Sequence, residues 1–174
     1  MNIRRLFAVI AALFLALGAG TGIAAAAPQA NPVYSLQNFL SGGCADVLGH
    51  SADNHAAVAN WQCDGLTNQN WEFRPVGDGS GYNYLVAQHS GKCLTVDISH
   101  SNGDFGGDVV QDQCLGTATQ MWVQRSLNGY QFLHLKYNDK CLDLDTRGGL
   151  GNGAVIHNWS CSNGNNQLWS LIPR

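Results

Sequence analysis

The chain has 174 residues, 45% hydrophobic and 12% charged, with a formal net charge of −3. That charged fraction is about half the globular norm of roughly 25%, while the apolar content suffices for a core, so a charge-rich disordered segment is excluded. One glutamate (Glu72), three lysines (Lys92, Lys136, Lys140) and 21 glycines argue against surface helices, which are normally clothed in Glu and Lys; the negative charge argues against nucleic acid or an anionic membrane as partner.

The chain opens on a basic start, Met1-Asn2-Ile3-Arg4-Arg5, then an almost unbroken apolar run from Leu6 to Ala19. Ala24-Ala25-Ala26-Ala27 follows with the small residues a signal peptidase needs. This order predicts a secretory signal peptide over residues 1–26, cut after Ala26. An uncleaved anchor is the rival reading, but the Ala/Gly-rich end makes a poor stop-transfer segment. No other stretch is long and apolar enough to span a bilayer, so membrane insertion is not expected. Cleavage leaves 148 residues, removes Arg4 and Arg5, and brings the net charge to −5. The expected location is secreted and extracellular, where six cysteines are able to pair.

Residues 27–174 read as one domain built from three copies of one unit, at approximately 34–79, 80–127 and 128–174. The cysteines mark the copies: Cys44 and Cys63, Cys93 and Cys114, Cys141 and Cys161. Each first cysteine opens an alternating run: Cys44-Ala45-Asp46-Val47, Cys93-Leu94-Thr95-Val96 and Cys141-Leu142-Asp143-Leu144. Each second cysteine is followed by Gln-x-Trp: Gln69-Asn70-Trp71, Gln120-Met121-Trp122 and Gln167-Leu168-Trp169. In-copy pairing of the cysteines is the economical arrangement, though six cysteines allow 15 connectivities.

The middle copy shows the elements most clearly. Strand signals cover Tyr82–Gln88, Cys93–Ile98, Asp108–Cys114 and Met121–Leu127, with the Gly-rich turn 102–107 before the third. Three such copies predict an all-β protein of about twelve short strands, a barrel or sandwich. Trp71, Trp122 and Trp169 recur once per copy, which predicts that they converge as shared core. The three units fill the mature length, leaving none for a separate catalytic domain.

Three Gln-x-Trp repeats with matched cysteines resemble the ricin B-type lectin domain, over residues from about 34 to 174. The resemblance implies a β-trefoil with one potential sugar site per repeat. It also implies which residues serve: the Asp two after the first cysteine, the aromatic two before the second, and the Asn or Gln ahead of the tryptophan. In the first copy these are Asp46, Trp61, Asn68 and Gln69, and in the third Asp143, Trp159, Asn166 and Gln167. His157 adds a polar group in the third copy, where the first has Ala59. The middle copy departs, with Thr95, Asp112 and Thr119 at these positions, so two sites are expected and the middle one weak or dead.

The residue types suit sugars. A carboxylate accepts charge-assisted bonds from vicinal hydroxyls, an aromatic face covers the C–H face of a pyranose, and an amide both donates and accepts. Gln69 and Gln167 suit bracing a neighbour as well as direct contact, and Asp97 and Asp145 read as turn residues. The expected partner is therefore a glycan, galactose-type or a plant-type polysaccharide, bound by a monomer without metal or cofactor. Two rivals are a trefoil protease inhibitor and a secreted glycosidase whose catalytic part is this domain itself; an accessory module beside a separate glycosidase or toxin is a variant of the lectin reading.

Enzymatic motifs fail one by one. Gly77-Asp78-Gly79-Ser80-Gly81 places its serine one position too late for a nucleophile elbow. Asp143–Gly148 begins like a calcium loop, but its twelfth position is Ala154. The six histidines lack ligand spacing. Gly149–Ala154 mimics a dinucleotide loop without a following helix. Glu72 sits beside a core tryptophan, so the expectation is no enzyme. Asn158-Trp159-Ser160 fits a glycosylation acceptor whose use would obstruct the third site.

Overall fold

A computed structural model describes residues 30–174. The signal peptide expected over 1–26 lies outside them. Twelve strands run β1 Val33–Asn38, β2 Cys44–Val47, β3 Ala56–Trp61, β4 Asn70–Pro75, β5 Asn83–Ala87 and β6 Cys93–Asp97, followed by β7 Phe105–Asp112, β8 Met121–Leu127, β9 Tyr130–Leu135, β10 Cys141–Leu144, β11 Ala154–Trp159 and β12 Trp169–Pro173. Short 3₁₀ turns at Thr67–Gln69, Ala118–Gln120 and Asn165–Gln167 precede the fourth strand of each repeat.

Pairing closes β1, β4, β5, β8, β9 and β12 into a six-stranded antiparallel barrel. The remaining strands form hairpins β2–β3, β6–β7 and β10–β11. Strands β3, β7 and β11 also pair with one another, making a triangular cap over one end of the barrel. This is a β-trefoil, as the resemblance implies, with the four strands per repeat that the strand signals predict.

One strand of the middle repeat departs from its predicted bounds by more than a single residue. The third strand of the middle repeat starts at Phe105 and ends at Asp112, three residues earlier at its start than the motif suggests. Gly106 and Gly107 continue the strand rather than break it, because β11 pairs alongside them (Asn158 opposite Gly107, Trp159 opposite Phe105). At Gly106 a Cβ would collide with the Asn158 side chain, so glycine there permits the close approach.

The core forms where the three repeats meet. Trp71, Trp122 and Trp169 are completely buried in one cluster with Leu36, Leu85, Leu133 and the alternating apolar residues of β2, β6 and β10. Each indole N–H donates to the carbonyl that follows the first cysteine of its repeat: Trp71 to Ala45 (3.1 Å), Trp122 to Leu94 (3.0 Å) and Trp169 to Leu142 (3.0 Å). The tryptophan thus ties the barrel to the strand that bears the candidate acid in the first and third repeats and Thr95 in the middle one.

All three disulfides lie within repeats: Cys44–Cys63, Cys93–Cys114 and Cys141–Cys161. A loop of about 20 residues closed this way adds about 3 kcal/mol in the chain-entropy account. Replacing Cys93 and Cys114 together by serine is expected to lower unfolding stability by about that amount, read from the denaturant midpoint; an unchanged midpoint would refute it.

Candidate functional site

The Gln of each Gln-x-Trp acts first. Gln69 Oε1 accepts from Asp64 N (3.0 Å), while Gln69 Nε2 donates to Gln62 O (2.9 Å) and to Asp46 Oδ2 (2.8 Å). Gln167 repeats the pattern with Ser162 N (2.8 Å), Ser160 O (3.0 Å) and Asp143 Oδ2 (2.6 Å). Both glutamines are wholly buried and their polar atoms are engaged. They brace the carboxylate, one of the two roles that the sequence leaves open for them.

The asparagines are also turned inward. Asn68 Nδ2 donates to Asp46 Oδ2 (2.9 Å) and Val47 O (3.1 Å); Asn166 Nδ2 donates to Asp143 Oδ2 (3.0 Å) and Leu144 O (3.1 Å). With both amide hydrogens used, only the side-chain carbonyl is left. Asn68 Oδ1 is buried and without a partner among the described residues. An unmet buried acceptor costs about 1–3 kcal/mol, and this one sits at the wall of a cleft.

The first-repeat cleft has a volume of about 200 Å³ and is lined by Asp46, Gly49, His50, Trp61, Asp64, Leu66 and Asn68. It brings together three of the four residues expected there. Trp61, at 39% exposure, presents an open indole at the rim. Among the described residues no protein donor bonds Asp46 Oδ1, so the carboxylate keeps an acceptor free for the cleft. Burial raises the Asp46 carboxyl above its ordinary value; bonds from Gln69 and Asn68 oppose that rise, and Asp64 adds to it. His50, Asp64 and Leu66 were missed by the sequence reading, because they lie in loops outside the repeat motif.

The third-repeat cleft, about 240 Å³, gathers Asp143, His157, Trp159 and Asn166 with Asp145, Thr146, Arg147 and Ser162. His157 Nε2 lies 2.9 Å from Asp143 Oδ1; a carboxylate accepts only, so Nε2 carries the proton. The His157 ring stacks against Trp159 at 5.1 Å, and the Arg147 guanidinium lies over the indole at 5.5 Å. Trp159 is therefore half-buried and framed, unlike Trp61. Asp145 is a turn residue, taking Arg147 N (2.9 Å), but it also grips the Arg147 guanidinium (2.8 Å) and walls the cleft. Those bonds hold its carboxyl down to about 2. The turn reading was thus incomplete.

The middle repeat keeps the scaffold without the acid. Gln120 Nε2 donates to Thr95 Oγ1 (3.0 Å), and Thr95 donates to Cys93 O (2.9 Å). Asp112, in the tryptophan position, faces His55 at 3.5 Å. A larger cleft of about 460 Å³ remains, mostly apolar, between Ile98, Val110, Ala118 and Tyr137.

Neighbouring repeats lean on one another through their hairpin tips. The tip of the first hairpin reaches the middle repeat, where Gln111 Nε2 donates to Ser51 O (2.8 Å) and Asp53 O (2.9 Å). The tip of the third hairpin reaches the first repeat, where Asn60 Nδ2 donates to Leu150 O (2.9 Å) and Gln62 N to Asn152 Oδ1 (2.7 Å). The tip of the middle hairpin brings Phe105 against Trp159 and His157 (ring centroids 6.2 and 5.8 Å). One cluster of metal-type ligands forms among the described residues, His134 with Cys141 and Cys161, but both sulfurs are spent in a disulfide.

A threefold β-trefoil with a braced carboxylate and an aromatic rim in two of its repeats has the layout of a lectin domain. The family model of the ricin-type β-trefoil lectin domain matches residues 32–169, and the chain belongs to that family of carbohydrate-binding domains. No curated protein sequence matches it. Among solved structures it is similar to the designed threefold-symmetric protein ThreeFoil (35% identity, TM-score 0.73, covering 80% of this chain and 97% of that one). It is also similar to an exo-β-1,3-galactanase from Clostridium thermocellum (30% identity, TM-score 0.74), covering 82% of this chain but only 30% of that enzyme. The ricin B-like lectin of Macrolepiota procera, solved with lactose, shares the fold at 18% identity (TM-score 0.69, covering 85% and 99%).

Proposed function

We propose that the chain is a secreted, monomeric, non-catalytic lectin that binds galactose-type sugars, or polysaccharide chains bearing them, at its first and third repeats. The observation that carries this reading is the acceptor geometry of the first cleft. Asp46 Oδ2 is saturated by two amide donors, and the Asn68 amide hydrogens are spent. What remains is the free Asp46 Oδ1, an acceptor with two lone pairs, in the same cleft as the exposed Trp61. Such a cleft suits a ligand with neighbouring O–H donors and an apolar face, which is a pyranose. Galactose leaves one ring face uninterrupted for stacking, and the galactanase and lactose-bound lectin named above lean the same way. A single site is weak because sugars also bond well to water, and two sites on one rigid body raise avidity on repeated glycans.

Hydrolysis would need an acid and a second free carboxylate across the scissile bond. Asp46 and Asp64 share the first cleft, but Asp64 Oδ1 caps its own turn by accepting from Leu66 N (2.9 Å). Glu72 is paired with Arg74 at 2.8 Å, which lowers its pKa. Release of reducing ends from polysaccharides by the protein would overturn the non-catalytic reading.

The test is a glycan array with the protein recovered from culture medium, beside the variant carrying Asp46→Asn and Asp143→Asn. Binding to galactose-terminated glycans that the double variant loses is expected; retention in the cells would refute secretion, and binding by the double variant would refute the site. Binding at the first repeat should also weaken in acid, starting above the ordinary aspartate value of about 3.9, as Asp46 takes up its proton. The folded chain holds that proton more tightly than the unfolded one. Ionised Asp46 therefore costs stability at neutral pH, and Asp46→Asn is expected to leave the melting temperature unchanged or raise it. A lowered melting temperature would contradict this.

A further inference from the structure

The third-repeat cleft does not end at Trp159. A second depression of about 420 Å³ adjoins it, sharing Asp145, Arg147, His157 and Trp159. The first depression alone, about 240 Å³, falls below the range of about 300–1,000 Å³ typical of small-molecule sites, and the second lies within it. A third, about 270 Å³, continues past Asn102 and Phe105 toward Tyr137.

The new walls come from the middle repeat, which lacks the sugar-binding set of its own. Phe105 supplies an aromatic ring, Asn102 an amide and Asp108 a carboxylate. Among the described residues neither the Asn102 side chain nor the Asp108 carboxylate makes a protein hydrogen bond, and both residues are exposed. Val155, 48% exposed, adds an apolar floor. An aromatic, an amide and a carboxylate around one depression repeat the ingredients of the first-repeat cleft. The early start of β7 puts them there, since pairing of Phe105 with Trp159 and of Asp108 with His157 draws the hairpin tip onto β11.

The equivalent tips elsewhere do not bring an aromatic, an amide and a carboxylate to a cleft that holds its repeat's own acid. At the first repeat the tip residue Asn152 is engaged by Gln62 N, and at the middle repeat His55 faces Asp112. An added sugar subsite is therefore particular to the third repeat.

Resting on the lectin reading above, we infer that the third-repeat site takes an oligosaccharide, one unit beside Asp143 and Trp159 and the next against Phe105, Asn102 and Asp108. Phe105 is a specificity residue for chain length that one repeat lends to another.

The test is calorimetric titration with galactose, β-1,3-galactobiose and β-1,3-galactotriose, in a Trp61→Ala background that silences the first repeat. The triose is expected to bind about tenfold more tightly than galactose, a gain that one further aromatic contact supplies. Phe105→Ala should bring the ratio of triose to galactose affinity close to one, and Asn102→Ala, which touches neither Asp143 nor Trp159, should weaken the triose while galactose itself binds as before. Equal affinity for all three lengths would overturn the extended site and leave the lectin reading standing, as would a length gain that survives both variants. Absence of binding by any of the three would overturn both. The Asn102 variant, altering an exposed side chain, keeps the test sound if loss of Phe105 disturbs the hairpin.

Discussion

Trp61→Ala combined with Trp159→Ala is expected to abolish glycan binding while the protein stays folded. Truncating a tryptophan at the centre of a binding site costs about 2 kcal/mol or more, roughly thirtyfold in affinity. A weak sugar site cannot absorb such a loss. The fold tolerates it because Trp61 lies outside the core, 39% exposed, and Trp159 packs among His157, Arg147 and Phe105 rather than in the central cluster. A fall in melting temperature of no more than about 5 °C is expected, corresponding to about 1–2 kcal/mol in a domain of this size. Trp61→Ala alone should halve the binding stoichiometry without changing affinity at the remaining site. Wild-type binding by the double variant would sink the site assignment.

Trp122→Ala should do the reverse. The indole is fully buried, and large-to-small replacement of this kind costs about 3–5 kcal/mol. Its N–H also satisfies Leu94 O, and a buried carbonyl left unpaired adds about 1–3 kcal/mol. The sum is a large share of the roughly 5–15 kcal/mol that holds a domain together. Trp122 belongs to the repeat without the acid, so whatever fraction remains folded should bind glycans with unaltered affinity. Urea unfolding followed by fluorescence, with titration of the folded fraction, separates the two effects. Lost affinity with undiminished stability would show that this tryptophan serves the ligand and not the core.

The three tryptophans and six cysteines made most of the fold legible. The same strand pattern is written three times, so a register ambiguous in one repeat is resolved by the other two. Asp46, Trp61, Asn68, Asp143, Trp159, His157 and Asn166 were readable for the same reason, and the structure gathers them into two clefts. What escaped depends on contacts between repeats or on which way an atom points. Gln69 and Gln167 were found, but their complete burial follows from bonds to residues five and seven positions earlier. Gly106 and Gly107 read locally as a turn, and only a strand from another repeat makes them part of a ladder. Arg147 over Trp159 joins two residues with no periodic relation. Repetition in sequence reports the unit, and says little of how each unit leans on the next.

The pairing of β1 with β12 sets the order in which the molecule can be completed. Tyr34 to Asn38 are matched with Trp169 to Pro173, so the first strand to emerge during synthesis waits for the last. The strand behind the first-repeat cleft waits too, since the third hairpin's tip bonds Asn60 and Gln62 on either side of Trp61. Joining such distant segments requires closing almost the whole chain into a loop, which slows folding. A nascent fragment lacking β12 presents an open strand edge, a template for aggregation. Ligand competence therefore arrives late and all at once, and the domain cannot be shortened from either end of its barrel without losing the whole.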